Sequence, residues 1–282
     1  MNGDLYQLCV ASDLIPVADD GPVAFHGVNK TGSLAMANVM RQSYFAAERA
    51  DQFFSVYHGV PRKLDDMCDI LRHSRGHNFF VSHNLFGAVD LPASGVLVTQ
   101  VRHPLSRTLS IFGWMKRNHL NRHGNLDAVP PLERWIVALK GFKHSQMHQI
   151  ALGFGTTPLA RDVPVQDLFD MATANLEWAF DWFGIAELFE ESIFAMAHIC
   201  GLPAVLAWEK DTRNQWRDPA AELDESTGDL IRESLELEFA FYEHALQLFR
   251  SRLEDVDFGD TLAAYKERCC GEYGERLFDE QS

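Results

Sequence analysis

The chain is poor in cysteine. Its 282 residues hold five: Cys9, Cys68, Cys200, Cys269 and Cys270. An odd number at wide spacings argues against a disulfide framework, and no C-x-x-C pair offers a structural zinc site. The adjacent Cys269 and Cys270 read as two reduced thiols in a polar stretch. No secretory leader is read, because the first residues lack a basic n-region and a clean apolar core. Long apolar runs are also missing. The longest weakly charged stretch, Ser192 to Trp208, is short for a membrane span and contains His198, Gly201 and Pro203. A cytoplasmic protein with no integral membrane segment is expected. Basic residues are scarce too, 25 against 40 acidic ones, for a net charge of −15. Taken whole, that charge argues against a nucleic-acid partner, which calls for a basic face.

The shortage of positive charge is uneven. Residues 1–20 carry a net −4, residues 21–150 a net +7 and residues 151–282 a net −18. Ten of the 12 histidines also fall in 21–150. An anion site is therefore open in the first half and disfavoured in the second. With 46% hydrophobic and 23% charged residues the chain has the make-up of a folded protein, long enough for one large core.

Strands are predicted at Val23 to Val28, Phe53 to Tyr57, Asn78 to Ser82, Gly95 to Val101 and Phe180 to Ile185. Between the first four lie helical patterns at Gly32 to Ala50 and from Pro61, with a further helix from about Leu105 to His119. Strands alternating with helices imply a parallel sheet of βαβ units. The second half reads as mostly helical, over Leu132 to Leu152, Val165 to Trp178, Glu187 to Ile199 and Gly228 to Leu253. In the last, Ile231, Leu235, Phe239, Tyr242, Leu246 and Phe249 keep a three-to-four spacing. One α/β domain over 1–282 is expected, with 1–20 an irregular lead-in and 254–282 a polar tail.

Two segments carry anion chemistry. AFHGVNKTGSLAM joins the first strand to the first helix, where main-chain N–H groups and the helix dipole favour an anion. Lys30 adds a charge, Thr31 and Ser33 add hydroxyls, and Gly32 lets the backbone come close. The segment is not G-x-x-x-x-G-K-[ST]: Ala24 stands at the first glycine and Asn29 precedes Lys30. No apolar strand ends in an evident magnesium-binding Asp. Read alone, it could equally be a strand-to-helix turn with a surface lysine. The second segment, RHPLSRTLS, follows GVLVTQV. It puts Arg102 at a strand's carboxyl end, Pro104 at a helix start, and Arg107 and Ser110 one turn apart. Arg102 suits phosphate, and Ser110 can supply a hydroxyl.

The pairing of NKTGS with VRHPLSRTLS resembles the PAPS-dependent sulfotransferases, more closely the carbohydrate O-sulfotransferase branch of the heparan sulfate 2-O type. That family has a PKTGGTS-like loop and an RDPVSRxxS-like segment. FGIAELFEESI, Phe183 to Ile193, is similar to its GxxExFxxSL block. The resemblance covers about residues 22–250, with three short blocks carrying it. It implies a P-loop-like three-layer fold with a central parallel sheet, and PAPS as donor with PAP as product. It further implies no metal, and a hydroxyl acceptor on a carbohydrate, glycolipid or small molecule.

The resemblance also implies roles. Lys30 would meet the sulfate-bearing bridge. Asn29, Thr31, Gly32, Ser33 and Leu34 would surround the 5′-phosphate, and Arg102 and Ser110 would hold the 3′-phosphate. His83, at the end of the third strand, would be the general base, with His58 the nearest competitor, and His26, close to the loop, could line the pocket. Arg213 or Asn214, in WEKDTRNQW (Trp208 to Trp216), would reach the 3′-phosphate. Asn29 stands where the family has Pro, Leu34 and Ala35 where it has Thr and Ser, and His103 where it has Asp. Sulfuryl transfer needs positioning and charge stabilisation, as phosphoryl transfer does. A histidine near neutrality suits the acceptor's proton. If the acidic half flanks the acceptor cleft, a neutral acceptor is expected over a highly sulfated one. The alternatives are a P-loop nucleotide phosphotransferase and a non-catalytic nucleotide-binding relative. The i, i+4 pairs His73/His77, His119/His123 and His144/His148 raise metal binding as a further possibility, but none is H-E-x-x-H.

Overall fold

The computed structural model describes residues 23–46, 51, 53–55, 79–82, 95–138, 145–153, 163–199, 223–256, 258 and 260–267. Among them, five strands form one sheet: β1 Val23–His26, β2 Phe53–Ser55, β3 Phe79–Ser82, β4 Val96–Val101 and β5 Trp182–Ile185. Every pairing is parallel, in the order β2-β3-β1-β4-β5. A parallel sheet is covered on both faces, so its strands need apolar residues on both sides. β1 (VAFH) and β5 (WFGI) are buried along their whole length, which is why they read as short continuous runs.

The helices are α1 Ser33–Ala46, α2 Pro104–His123, α3 Leu132–Ala138, α4 Ser145–Leu152, α5 Val165–Trp178, α6 Phe189–Ile199, α7 Glu225–Ser234 and α8 Glu236–Asp255. α1 and α6 pack together on one face of the sheet, and α4, α5 and α8 on the other. Phe25, Met36, Met40, Phe183, Ile193 and Phe249 are among the side chains filling this core. Arg252 of α8 locks the second layer to the sheet. Its Nη2 donates to the Leu176 and Glu177 carbonyls (3.0 and 2.9 Å) and its Nη1 to Phe180 (3.3 Å), closing the end of α5.

The topology fixes where a ligand can sit. From β1 the chain runs through α1 to β2 on one side; from β4 it runs through α2 to α5 and reaches β5 on the other. Right-handed crossovers in opposite directions place their helices on opposite faces, which makes the carboxyl ends of β1 and β4 a topological switch point, where a ligand crevice is expected in an open α/β sheet. His26 pairs with Thr99, which leaves Val101 and the β1 loop at the same end of the sheet.

Several expectations change. The apolar stripe from Gly228 to Leu253 belongs to two helices, which part at Leu235 (φ −126°, ψ 26°). Ile231 and Leu235 are buried with Leu109, Phe112, Leu132 and Trp135 in a satellite cluster under α2, α3 and α7, whereas Tyr242 and Phe249 enter the main core. One straight helix cannot serve both. The stretch Leu132 to Leu152 is likewise two helices, α3 and α4. The polar tail does not begin at 254: α8 runs to Asp255, and residues 261–267 form a further helical segment that buries Tyr265 in the core beside Phe258 and Leu262. The helix expected from Pro61 and all five cysteines lie outside the described residues. No helix among the described residues is long and apolar enough to cross a membrane.

Candidate functional site

The loop between β1 and α1 is folded around one carbonyl. Val28 O accepts from the Thr31 N–H (3.4 Å), the Thr31 hydroxyl (2.9 Å) and the Ser33 hydroxyl (2.9 Å), and the two hydroxyls lie 2.9 Å apart. Both side chains are buried. Thr31 and Ser33 were expected to offer hydroxyls to a phosphate; instead these face inward and shape the turn. Lys30 sits in the left-handed region (φ 65°), as does Gly32 (φ 89°). For a residue with a Cβ this conformation costs about 1–2 kcal/mol. It turns the Lys30 carbonyl toward Arg102, whose Nη1 donates to it at 3.1 Å. The first hydrogen bond of α1 runs from the Met36 N–H to Gly32 O, so the N–H groups of residues 33–35 have no partner within the helix. No acidic residue occupies that first turn, and the positive end of the dipole is left uncompensated there.

The second segment grips the first. Arg107, one turn into α2, donates from Nε to the Asn29 carbonyl at 3.0 Å. With Arg102 on Lys30, two guanidiniums hold two consecutive carbonyls of the loop. Arg107 is fully buried, and burial pushes its pKa down while the Glu238 carboxylate works against that. Glu238, buried on α8, is pushed up by the same loss of water and held back first by Arg107. Ser110 is buried on α2, one turn beyond Arg107. Leu34 and Trp114 are exposed at the mouth of the loop, and the Lys30 ammonium lies 5.8 Å from the Trp114 ring centre.

Two glutamines of α4, silent in the sequence, tie both segments to the second layer. Gln149 Oε1 accepts the Asn29 N–H at 2.8 Å. Gln146 Oε1 accepts the Arg102 N–H at 3.0 Å, and its Nε2 donates to the Arg102 carbonyl at 3.2 Å. Both side chains are essentially out of water. Their signal was present only as Q-x-x-Q in a polar stretch.

The third block, GIAELFEES, has a structural account at its Gly, Glu and Ser positions. A Cβ on Gly184 would lie 2.9 Å from Ser192 Cβ, so only glycine lets α6 approach β5 this closely. Ser192 Oγ accepts the Ile185 N–H at 2.9 Å, tying strand to helix. Glu187 accepts the His103 N–H with both oxygens (3.2 and 3.0 Å) and the Tyr242 hydroxyl (3.1 Å). It stands 4.0 Å from Arg102 Nε. The acidic half thus supplies two carboxylates, Glu187 and Glu238, that steady the arginines.

The histidines divide. His83 and His58 lie outside the described residues, as does Arg213; β3, which precedes His83, ends at Ser82 paired with His26. His26 does not line the crevice. It is fully buried beneath the loop, with Nε2 3.0 Å from the Gln149 carbonyl and its ring near Phe180. His103 packs edge-on against Phe239 and Tyr242, and burial lowers its pKa, which keeps it neutral near pH 7. The His119 and His123 rings are 4.4 Å apart on α2, but among the described residues no group of three potential ligands gathers to hold a metal. No protein-family model matches the chain and no curated protein matches it, so the site is read from its own geometry.

Proposed function

We propose that this protein is a PAPS-dependent sulfotransferase of P-loop-like fold, acting on a hydroxyl of a carbohydrate, glycolipid or small molecule. One observation carries the reading. The two segments expected to meet the two phosphate positions of PAPS flank the β1/β4 crevice, and Arg102 Nη1 is bonded to Lys30 O. Adjacent strand ends at a topological switch point are where open α/β sheets bind ligands. The start of α1, where the N–H groups of residues 33–35 have no partner within the helix, favours the 5′-phosphosulfate. Arg102 and Ser110 favour the 3′-phosphate.

In the reaction the acceptor oxygen forms a bond to sulfur as the bond from sulfur to the PAP phosphate oxygen breaks. The acceptor proton passes to His83, and Lys30 neutralises charge growing on the leaving oxygen. Binding needs no magnesium in this scheme. On its cysteine usage, we place the protein in the cytoplasm.

The test is a calorimetric titration of the full chain with PAP in the absence of magnesium, followed by transfer from labelled PAPS. Binding and transfer are expected. PAP binding without transfer to any acceptor would assign the chain to a non-catalytic relative. ATP binding that requires magnesium, with no binding of PAP, would make it a phosphotransferase.

A further inference from the structure

We propose that α4 is the spacer of this site: Gln146 and Gln149 set the separation of the two anion segments, and so make the site selective for a ligand with two phosphate groups over one with a single phosphate. The proposal rests on the anion-site reading above and adds to it the determinant of selectivity.

The geometry is a rung with one foot on each segment. Gln146 and Gln149 are three residues apart, hence neighbours on one face of α4. Gln149 binds the main chain of Asn29, the residue before Lys30. Gln146 binds the main chain of Arg102 on both sides, N–H and carbonyl. Each amide is bonded to main chain, so it acts through the residue it holds.

A spacer must itself be fixed, and α4 is. An eight-residue helix has little stability of its own. Here Glu238 of α8 accepts the N–H groups of Gln146 and Met147, each at 3.1 Å, at one end. At the other end Asn175 of α5 donates to the Ile150 and Ala151 carbonyls, at 2.9 and 3.1 Å. The clamp closes on itself. Arg107, which holds the Asn29 carbonyl, faces the charge of the same Glu238 that anchors Gln146. Asn29 is thus held at its N–H from α4 and at its carbonyl from α2. A buried glutamine is uncommon. Two on one turn, each bonded to the backbone of a different segment, place those segments rather than fill space.

The experiment compares two ligands on the full chain, PAP and adenosine 5′-phosphate, which lacks the 3′-phosphate. The variants are Gln146→Met and Gln149→Met, close to glutamine in volume, and Gln149→Asn, which keeps the amide but shortens its reach. Wild type is expected to prefer PAP. In Gln149→Met PAP affinity should fall about tenfold, the worth of one lost hydrogen bond, and in Gln146→Met, which loses two, by at least as much. The single-phosphate ligand should change less than about threefold, so the preference collapses. Gln149→Asn should fall between, and serves if a Met variant fails to fold. Parallel losses for both ligands, or an unchanged preference, would overturn the spacer role while leaving the anion site standing. Wild type that binds neither ligand would overturn the site and the spacer together.

Discussion

Arg102 and Gln146 exchange two hydrogen bonds, main-chain N–H to Oε1 at 3.0 Å and Nε2 to main-chain carbonyl at 3.2 Å. A side-chain amide thereby stands in for a neighbouring strand, at the residue where the β4 ladder stops. Gln146→Leu removes both bonds. It should destabilise the protein by about 2 kcal/mol. Urea titration should show a lower midpoint with an unchanged slope.

Lys30 holds a conformation that suits glycine, at the position where the proposed reaction calls for a charge. Lys30→Gly and Lys30→Ala both remove the ammonium, and both should abolish PAP binding. The two should part in stability: the glycine variant is expected to be more stable than the alanine variant by about 1 kcal/mol, because only it relieves the left-handed backbone. Thermal melts of the pair check this; equal stability would mean that the loop bears no strain.

Gly184 faces Ser192 across the β5–α6 contact. In Gly184→Ala the new methyl would sit 2.9 Å from Ser192 Cβ, an atom on a helix that cannot swing aside. A loss of about 1–3 kcal/mol is expected. Gly184→Ala combined with Ser192→Gly should recover part of it, and a double-mutant cycle measures the coupling.

Asp224 caps α7 and titrates in acid. Its carboxylate accepts first from the Ser226 hydroxyl, then from the Thr227 N–H and hydroxyl, and these bonds lower its pKa from 3.8 to about 2. A carboxylate held below its unfolded pKa adds stability that is complete above pH 3.8 and is lost as pH falls through about 2. The gap in melting temperature between wild type and Asp224→Ala should therefore be constant above pH 3.8 and close on approach to pH 2. A gap that widened in acid would contradict the cap.

Much of this architecture is legible in the sequence, for physical reasons. The strands show because a parallel sheet buries both faces, and α5 shows because its apolar spacing and its limits, Val165 and Trp178, coincide. The two loop segments show because lysine, arginine and hydroxyl residues gather directly after two strands. The partners of those segments do not show. Gln146 meets Arg102 across 44 residues and Gln149 meets Asn29 across 120, and in KHSQMHQI their spacing reads as a solvated helix face. The break at Leu235 is hidden for the converse reason: one unbroken apolar stripe can feed two cores. His26 looks like a loop histidine and is a buried tie, since only the fold brings the Gln149 carbonyl above it.

From Arg102 to Leu126 the sequence has five basic residues and no acidic one, in a chain of net charge −15. All of α2 lies within that stretch, and Lys116, Arg117 and Arg122 lie on its outer half. The net charge disfavours an anion over most of the surface, and beyond the screening length that repulsion is largely lost. At close range the sign depends on the direction of approach, and an anion arriving over the outer half of α2 is drawn in. Productive encounters therefore come from one side, and raising the ionic strength should slow capture of an anionic ligand more than it speeds release.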